Sequence, residues 1–449
     1  MSFNYERKLK TLESVLEKNQ LEMSVYEQLP DMTAAAGYTV RDNYAASAST
    51  TFDDGVPAPL PSAPTYSISQ DKQSLTSNIA FSWNILDFGL SYVRAKQQAD
   101  KYLITKERER KVIHNISKEV RSAYYRAVSA QKLLSRVQPL MARASDALRA
   151  SRQIEELRAE SPLEALSYQR NLLEIVRTLQ ALRQELSTAK NELARLMGLM
   201  PDERFVLVEP DEADYVDQDV ALDLQCMEKM ALLYRPELME TRYRERISVA
   251  DAKAALLKLL PGISFNAGYH YDGSDYLLNN EWASYGARVS WNLLNVFSLP
   301  AQKNMSELRQ KLAKERTLAT SMAVLSQVHM ANINFAESRA NYKIAEQYLQ
   351  VSARIAEQTD NASKLQNIGE LKLIREHLNQ ILAELRRDVA YATMQNYYGE
   401  IFTSVGLEVV GEEYKALDVN ELQHRVSTQL ANWKSNNFNE VQSCDAVQL

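Results

Sequence analysis

Residues 81–100 read "FSWNILDFGLSYVRAKQQAD", a stretch that opens with alternating apolar and polar side chains and closes as a charged run with no alternation. Phe81, Trp83 and Ile85 share one side of an extended chain, whereas from about residue 92 the composition suits a helix. The stretch predicts a strand that gives way to a helix across a sharp break at Asp87-Phe88-Gly89. A near copy, "VSWNLLNVFSLPAQKN", returns at residues 289–304. The junction is therefore a repeated part.

Carrying the offset of 208 between Trp83 and Trp291 along the chain recovers further identities. Ser82, Asn84 and Leu86 match Ser290, Asn292 and Leu294; Lys106-Glu107-Arg108 matches Lys314-Glu315-Arg316; Gly198-Leu199 matches Gly406-Leu407. Upstream, Leu29-Pro30 and Ala36-Gly37-Tyr38 match Leu260-Pro261 and Ala267-Gly268-Tyr269 at an offset of 231, so the first copy carries 23 extra residues between these anchors. They fall in "TTFDDGVPAPLPSAPTYSISQDKQ", which reads as a long loop. The chain is a duplicated unit.

Each unit is predicted as helix, two strands and two long helices, giving a mixed α/β fold made mainly of long α-helices. The first repeat takes residues 1–199, with a helix at 5–29, strands at about 31–44 and 74–88, and helices at about 92–158 and 163–199. An equatorial segment, 200–235, follows. The second repeat takes 236–407, with a helix at 236–260, strands at about 262–272 and 283–295, and helices at about 300–366 and 370–407. Residues 408–449 form a second equatorial segment and a C-terminal tail, whose last 20 or so residues read as disordered. Helices of about 67 residues, about 100 Å long at 1.5 Å per residue, need partners. One is visible: Ala165, Tyr168, Leu172, Ile175, Leu179, Leu182, Leu186, Ala189, Leu193 and Leu196 keep 3-4 spacing, a coiled-coil seam. In the second copy only Leu371, Ile374, Leu378, Ile381 and Leu385 are clear.

Composition excludes several classes. Glycine is scarce, 12 in 449 residues, as suits long helices. A net charge of −6 without clustered Lys and Arg argues against nucleic acid as a partner. Cys226 and Cys444 lie far apart with no histidine at ligand spacing, and the five histidines are scattered, so no metal site is expected. No cofactor loop, nucleophile elbow or other catalytic constellation occurs. The sequence has no apolar run long enough for a transmembrane helix.

The strands point elsewhere. In "GISFNAGYHYD" (262–272) the odd positions are apolar or aromatic, and the even ones are Ser, Asn, Gly, His and Asp; the other three strands also have one greasy side. Aromatic residues crowd the strands and their ends: Tyr38, Phe81, Trp83, Phe88, Tyr269, Tyr271, Trp282, Tyr285, Trp291 and Phe297 are candidate membrane-interface residues, as in the girdles of membrane barrels. Strands of about 10 residues suit a tilted crossing. Four strands cannot close a barrel, and an open edge in lipid leaves backbone groups unpaired, so several copies must share one. Three copies give 12 strands and a lumen, which the small polar side chains of the second face favour. The rival readings are a soluble coiled-coil scaffold with a small β-domain and an α-helical pore-forming toxin.

The pattern resembles the TolC-like outer-membrane factors, the outer membrane efflux protein family. That family's strand-ending motif, Trp-x-Leu/Ile-Phe/Leu-Asp-x-Gly, stands here as Trp83-Asn84-Ile85-Leu86-Asp87-Phe88-Gly89, with Asn295-Val296-Phe297 replacing its ending in the second copy. Arg235-Pro236-Glu237-Leu238, Leu260-Pro261 and Gly268-Tyr269 match its other signatures. The resemblance implies a homotrimer whose 12-stranded β-barrel in the outer membrane continues as an α-helical barrel through the periplasm. It implies a passive, non-enzymatic exit duct of a tripartite efflux or type I secretion system, partnered by a periplasmic adaptor and an inner-membrane pump. The helical hairpin tips would form the gate, for which Arg158, Glu160, Glu164, Glu370, Lys372, Arg375 and Glu376 are the candidates; charge reversal at Arg158 or Arg375 is expected to raise single-channel conductance.

Residues 1–20 contain no apolar signal core, and "LDLQCMEKMALLY" (222–234) has a first-copy counterpart that falls almost wholly before residue 1. Both observations lead to the expectation that the sequence as given begins inside its domain, with a helix and a signal peptide upstream.

Overall fold

A computed structural model of the chain describes residues 4–156, 162–200, 203, 205–209, 220, 223–364, 369–407 and 419–434. Its elements are, in order, α1 (Tyr5–Tyr26), β1 (Asp31–Val40), β2 (Ala46–Ser47), β3 (Phe52–Asp53), β4 (Val56–Pro57), β5 (Ser67–Ile68), β6 (Gln73–Asn84), α2 (Ile85–Glu156), α3 (Pro162–Met197), α4 (Leu224–Tyr234), α5 (Pro236–Leu257), β7 (Gly262–Asp272), β8 (Glu281–Ser290), α6 (Asn295–Lys364), α7 (Glu370–Ser404) and α8 (Val419–Lys434). The chain divides into two compact units. One takes Val15–Tyr102 with Tyr243–Lys314; the other takes the segment up to Ser14, Leu103–Arg242 and the chain from Glu315 onward.

The first unit is built on a four-stranded antiparallel sheet in the order β1-β6-β7-β8. The two repeats thus supply one strand pair each, joined through β6 and β7. Here the turn from strand to helix comes earlier than the sequence suggests: α2 starts at Ile85, so Asp87-Phe88-Gly89 lies within its first turns. The cause is Asn84, whose Oδ1 accepts from the Leu86 amide at 3.0 Å, with Asp87 adding a favourable charge near the amino end. In the second copy Asn292 Oδ1 accepts from the Leu294 amide at 3.2 Å in a turn that precedes α6, which starts at Asn295. The 23 extra residues lie in a segment that forms two short ladders, β2 with β5 and β3 with β4. Asp54 and Gly55, at φ 48° and 80°, turn the inner one.

In the second unit the α3 seam is buried as its spacing requires. Leu172 and Leu179 are wholly enclosed, with Ile175, Leu182 and Leu186 beside them, against Leu133, Val137 and Ala144 of α2 and Ile374, Leu378 and Ile381 of α7. Further along, α7 exchanges aliphatic for aromatic packing. Tyr391, Tyr398 and Phe402 join Phe335 and Tyr342 of α6 and Met227 and Met230 of α4 in a second core. Edge-on contacts between Tyr125 and Tyr391 (4.8 Å) and between Tyr398 and Phe402 (5.0 Å) order it. This explains why the α7 seam looks patchy as a string of aliphatics.

Both α3 and α7 end on the recurring Gly-Leu. Gly198 and Gly406 have φ of 74° and 81°, and the following leucine amides reach back to Ala194 O (2.9 Å) and Phe402 O (3.0 Å). These are paired left-handed caps. At Gly406 a side chain is excluded twice over, because a Cβ there would lie 2.7 Å from the Tyr234 carbonyl. Beyond α7, α8 continues as helix through Lys434, into the segment expected to be disordered; residues 435–449 lie outside the described residues.

Candidate functional site

Strand register fixes which side chains share each face of the sheet. Met32 pairs with Phe81, Ala34 with Ile79 and Tyr38 with Leu75; Ile79 pairs with Tyr269, Phe81 with Ala267 and Trp83 with Phe265; Ile263 pairs with Val289, Phe265 with Ala287 and Ala267 with Tyr285. Every one of these residues lies on a single face. The opposite face carries Thr33, Gly37, Thr76, Asn78, Ser82, Ser264, Asn266, Gly268, Ser284 and Gly286. The four greasy sides therefore merge into one apolar surface across both repeats. In the chain by itself it is open: Tyr285 is 84% exposed, Met32 73% and Val289 68%.

Polar atoms on that surface gather at its ends. Tyr38 Oη donates to Gln73 at 2.7 Å, and Tyr269 Oη donates to the Glu281 carboxylate. Near the other end Trp83 meets Phe88 edge-on at 6.0 Å, and just past β8 Trp291 Nε1 donates to Leu259 O at 3.0 Å. Ten residues at about 3.3 Å each, tilted by about 40°, rise about 25 Å, the height of a lipid-facing band. Of the aromatics singled out in the sequence, Tyr38, Phe81, Trp83, Tyr269, Tyr271 and Tyr285 share the apolar face; Phe88 and Phe297 lie in the first turns of α2 and α6. Trp282 departs from the set. Its parity puts it on the polar face, where it stacks on His270 with ring centroids 5.3 Å apart. Counting aromatics without tracking the pleat hid this difference.

The ends of the long helices form the second place of interest. Arg158 and Glu160 lie outside the described residues. Glu164, Lys372 and Arg375 are exposed, and Glu376 accepts from Asn379 at 3.3 Å. Glu370, at the start of α7, is held in a two-pronged pair by Arg143 of α2: Nε to Oε1 is 2.5 Å and Nη2 to Oε2 is 3.1 Å. Hydrogen bonding to this carboxylate raises the Arg143 guanidinium above its ordinary range. The pair borders a groove of about 600 Å³ lined by Pro139, Ala142, Asp146, Ala147 and Ala150. His377 Nε2 and Asp360 Oδ1, 2.9 Å apart, tie α7 to α6.

Going from Arg143 toward the start of α2, the antiparallel pairing continues. Arg136 and Lys132 both meet the buried Glu384, and Lys118 reaches Glu400 at 3.5 Å. Sequence reasoning missed Arg143, Arg136 and Lys132. They lie mid-helix, more than 200 residues from their partners, and only the α2–α7 register brings them together. Deeper in the same unit His114 is buried, and burial, with the Arg110 and Arg235 guanidiniums beside it, lowers its imidazole to about 4.

Among the described residues, no cluster of His, Cys, Asp and Glu could hold a metal ion. None of the described helices is long and apolar enough to cross a membrane.

The fold is similar to that of outer-membrane channel proteins, and part of the sequence matches a family model of such proteins. Residues 228–363 match the family model described as "Outer membrane efflux protein". The structure is similar to the Campylobacter jejuni CmeC outer membrane channel (TM-score 0.69, 13% identity, covering 94% of this chain and 87% of that one). It is also similar to the open state of the Neisseria gonorrhoeae MtrE outer membrane channel (TM-score 0.62, 14% identity, 90% and 87%) and to the outer membrane protein VceC of Vibrio cholerae (TM-score 0.60, 13% identity, 89% and 92%). No curated protein matches the sequence. At such identities the likeness establishes the fold.

Proposed function

We propose that this chain forms a trimeric outer-membrane exit duct of a tripartite efflux or type I secretion system. The observation that carries the proposal is the register that merges four strands into one exposed apolar face while leaving β1 and β8 as sheet edges. In lipid an unpaired edge costs several kcal/mol per backbone group, so β8 of one copy must meet β1 of the next. Three copies give 12 strands, with the polar face turned inward onto a water-filled lumen. The long helices would form a helical barrel through the periplasm, where an adaptor and an inner-membrane pump would deliver cargo.

The conduit is passive and its gate is at the helix ends. Glu164, Glu370, Lys372, Arg375 and Glu376, with Arg158 and Glu160, remain the gate candidates, and Arg143 joins them as the partner of Glu370. Reconstitution in planar bilayers tests the reading. Discrete channels that conduct both cations and anions are expected; a protein that stays in the aqueous phase and leaves the bilayer sealed would favour the coiled-coil scaffold.

A further inference from the structure

The polar face of the sheet carries small side chains almost throughout, and one large aromatic residue interrupts it. Trp282 of β8 lies directly across from His270 of β7. The two rings stack at 5.3 Å with an interplanar angle of 19°. His270 Nε2 is 2.9 Å from Ser284 Oγ, and the imidazole lies over Gly268, where a Cβ would come within 2.8 Å of Nε2. Three contributions from two strands thus fix one indole: an imidazole beneath it, a hydroxyl that orients the imidazole, and a glycine that leaves room. A side chain ordered in advance binds at a lower entropy cost. In the chain by itself Trp282 is 43% exposed, so part of the ring is open there.

An exposed indole face attracts cations and flat π-systems. The charges nearby select between them. Asp272 stands two residues beyond His270 on the same face, about 7 Å along the strand, with Oδ1 accepting from Ser74 Oγ at 2.8 Å. Arg288, the guanidinium of that face, is six residues from Trp282, about 20 Å away.

We propose that Trp282, held flat by His270, is a stacking platform in the lumen that binds planar aromatic cations in transit. This rests on the reading of the polar face as the lumen and adds a chemical class of cargo to it.

Single-channel recording with ethidium as the probe tests the platform. The wild-type channel is expected to show ethidium blocks whose dwell time falls about fivefold in Trp282→Leu and is kept in Trp282→Phe. Gly268→Ala, which displaces the imidazole, should shorten the blocks. Equal dwell times in wild type and Trp282→Leu, in channels of equal conductance, would overturn the platform and leave the lumen reading standing. Failure of the wild-type protein to conduct would overturn the lumen reading itself, and the platform with it.

Discussion

Gly406 shows how one residue joins the two ends of a repeat. Its positive φ lets α7 stop, and its missing side chain lets the Tyr234 carbonyl approach. Gly406→Ala should therefore lower unfolding stability by about 2 kcal/mol or more, from left-handed strain plus a backbone collision; denaturant unfolding in detergent reads it. His114 makes a second prediction. With its imidazole lowered to about 4 against an ordinary value of 6.5, the unfolded chain binds a proton that the folded chain refuses in between. Stability is then complete above about pH 6.5 and declines as pH falls toward 4, by roughly 3 kcal/mol. Thermal melts from pH 8 to 4 should show this decline, and His114→Leu should reduce it. At this scale the sequence was partly legible. The recurring Trp-Asn and Gly-Leu pairs announced their importance by repetition, but not that Asn84 caps a helix, that Asn292 opens the turn before one, or that both glycines end helices. A cap looks like any other polar residue until its helix is placed.

Among the elements, the strands were the easier to read, because a period of two states directly which side chains share a face. Their ends were harder. β6 stops at Asn84 and α2 takes up Ile85 at once, since the Asn84 cap sets the boundary where apolar alternation alone runs on to Ile85. Trp282 falls among the candidate membrane-interface aromatics by proximity to them, although its even position gives it the other face of the sheet. The helix ends were the least legible, because Arg143 and Glu370 are 227 residues apart and nothing in either local sequence names the other. If this pair helps hold the periplasmic end shut, Arg143→Glu should raise mean single-channel conductance, and adding Glu370→Arg should restore it. Both side chains are nearly half exposed, so the pair contributes at most about 1 kcal/mol to folding. Melting temperature should therefore hardly move, which separates a gating effect from a loss of fold.

For the whole molecule, the merged apolar face sets the terms. A chain with 45% hydrophobic residues has ample material for a core, yet places Tyr285, Val289 and Met32 in the open on one side of a sheet whose two edges are unfilled. In the proposed duct, burial of that surface and pairing of those edges would be one problem, solved together by copies that close a barrel in lipid. Single-particle electron cryo-microscopy of the detergent-extracted protein tests this most directly. Three-fold particles in which β1 of each copy hydrogen-bonds to β8 of its neighbour, closing 12 strands within the detergent belt, are the expected result. A water-soluble monomer or dimer with the apolar face covered by its own helices would contradict it.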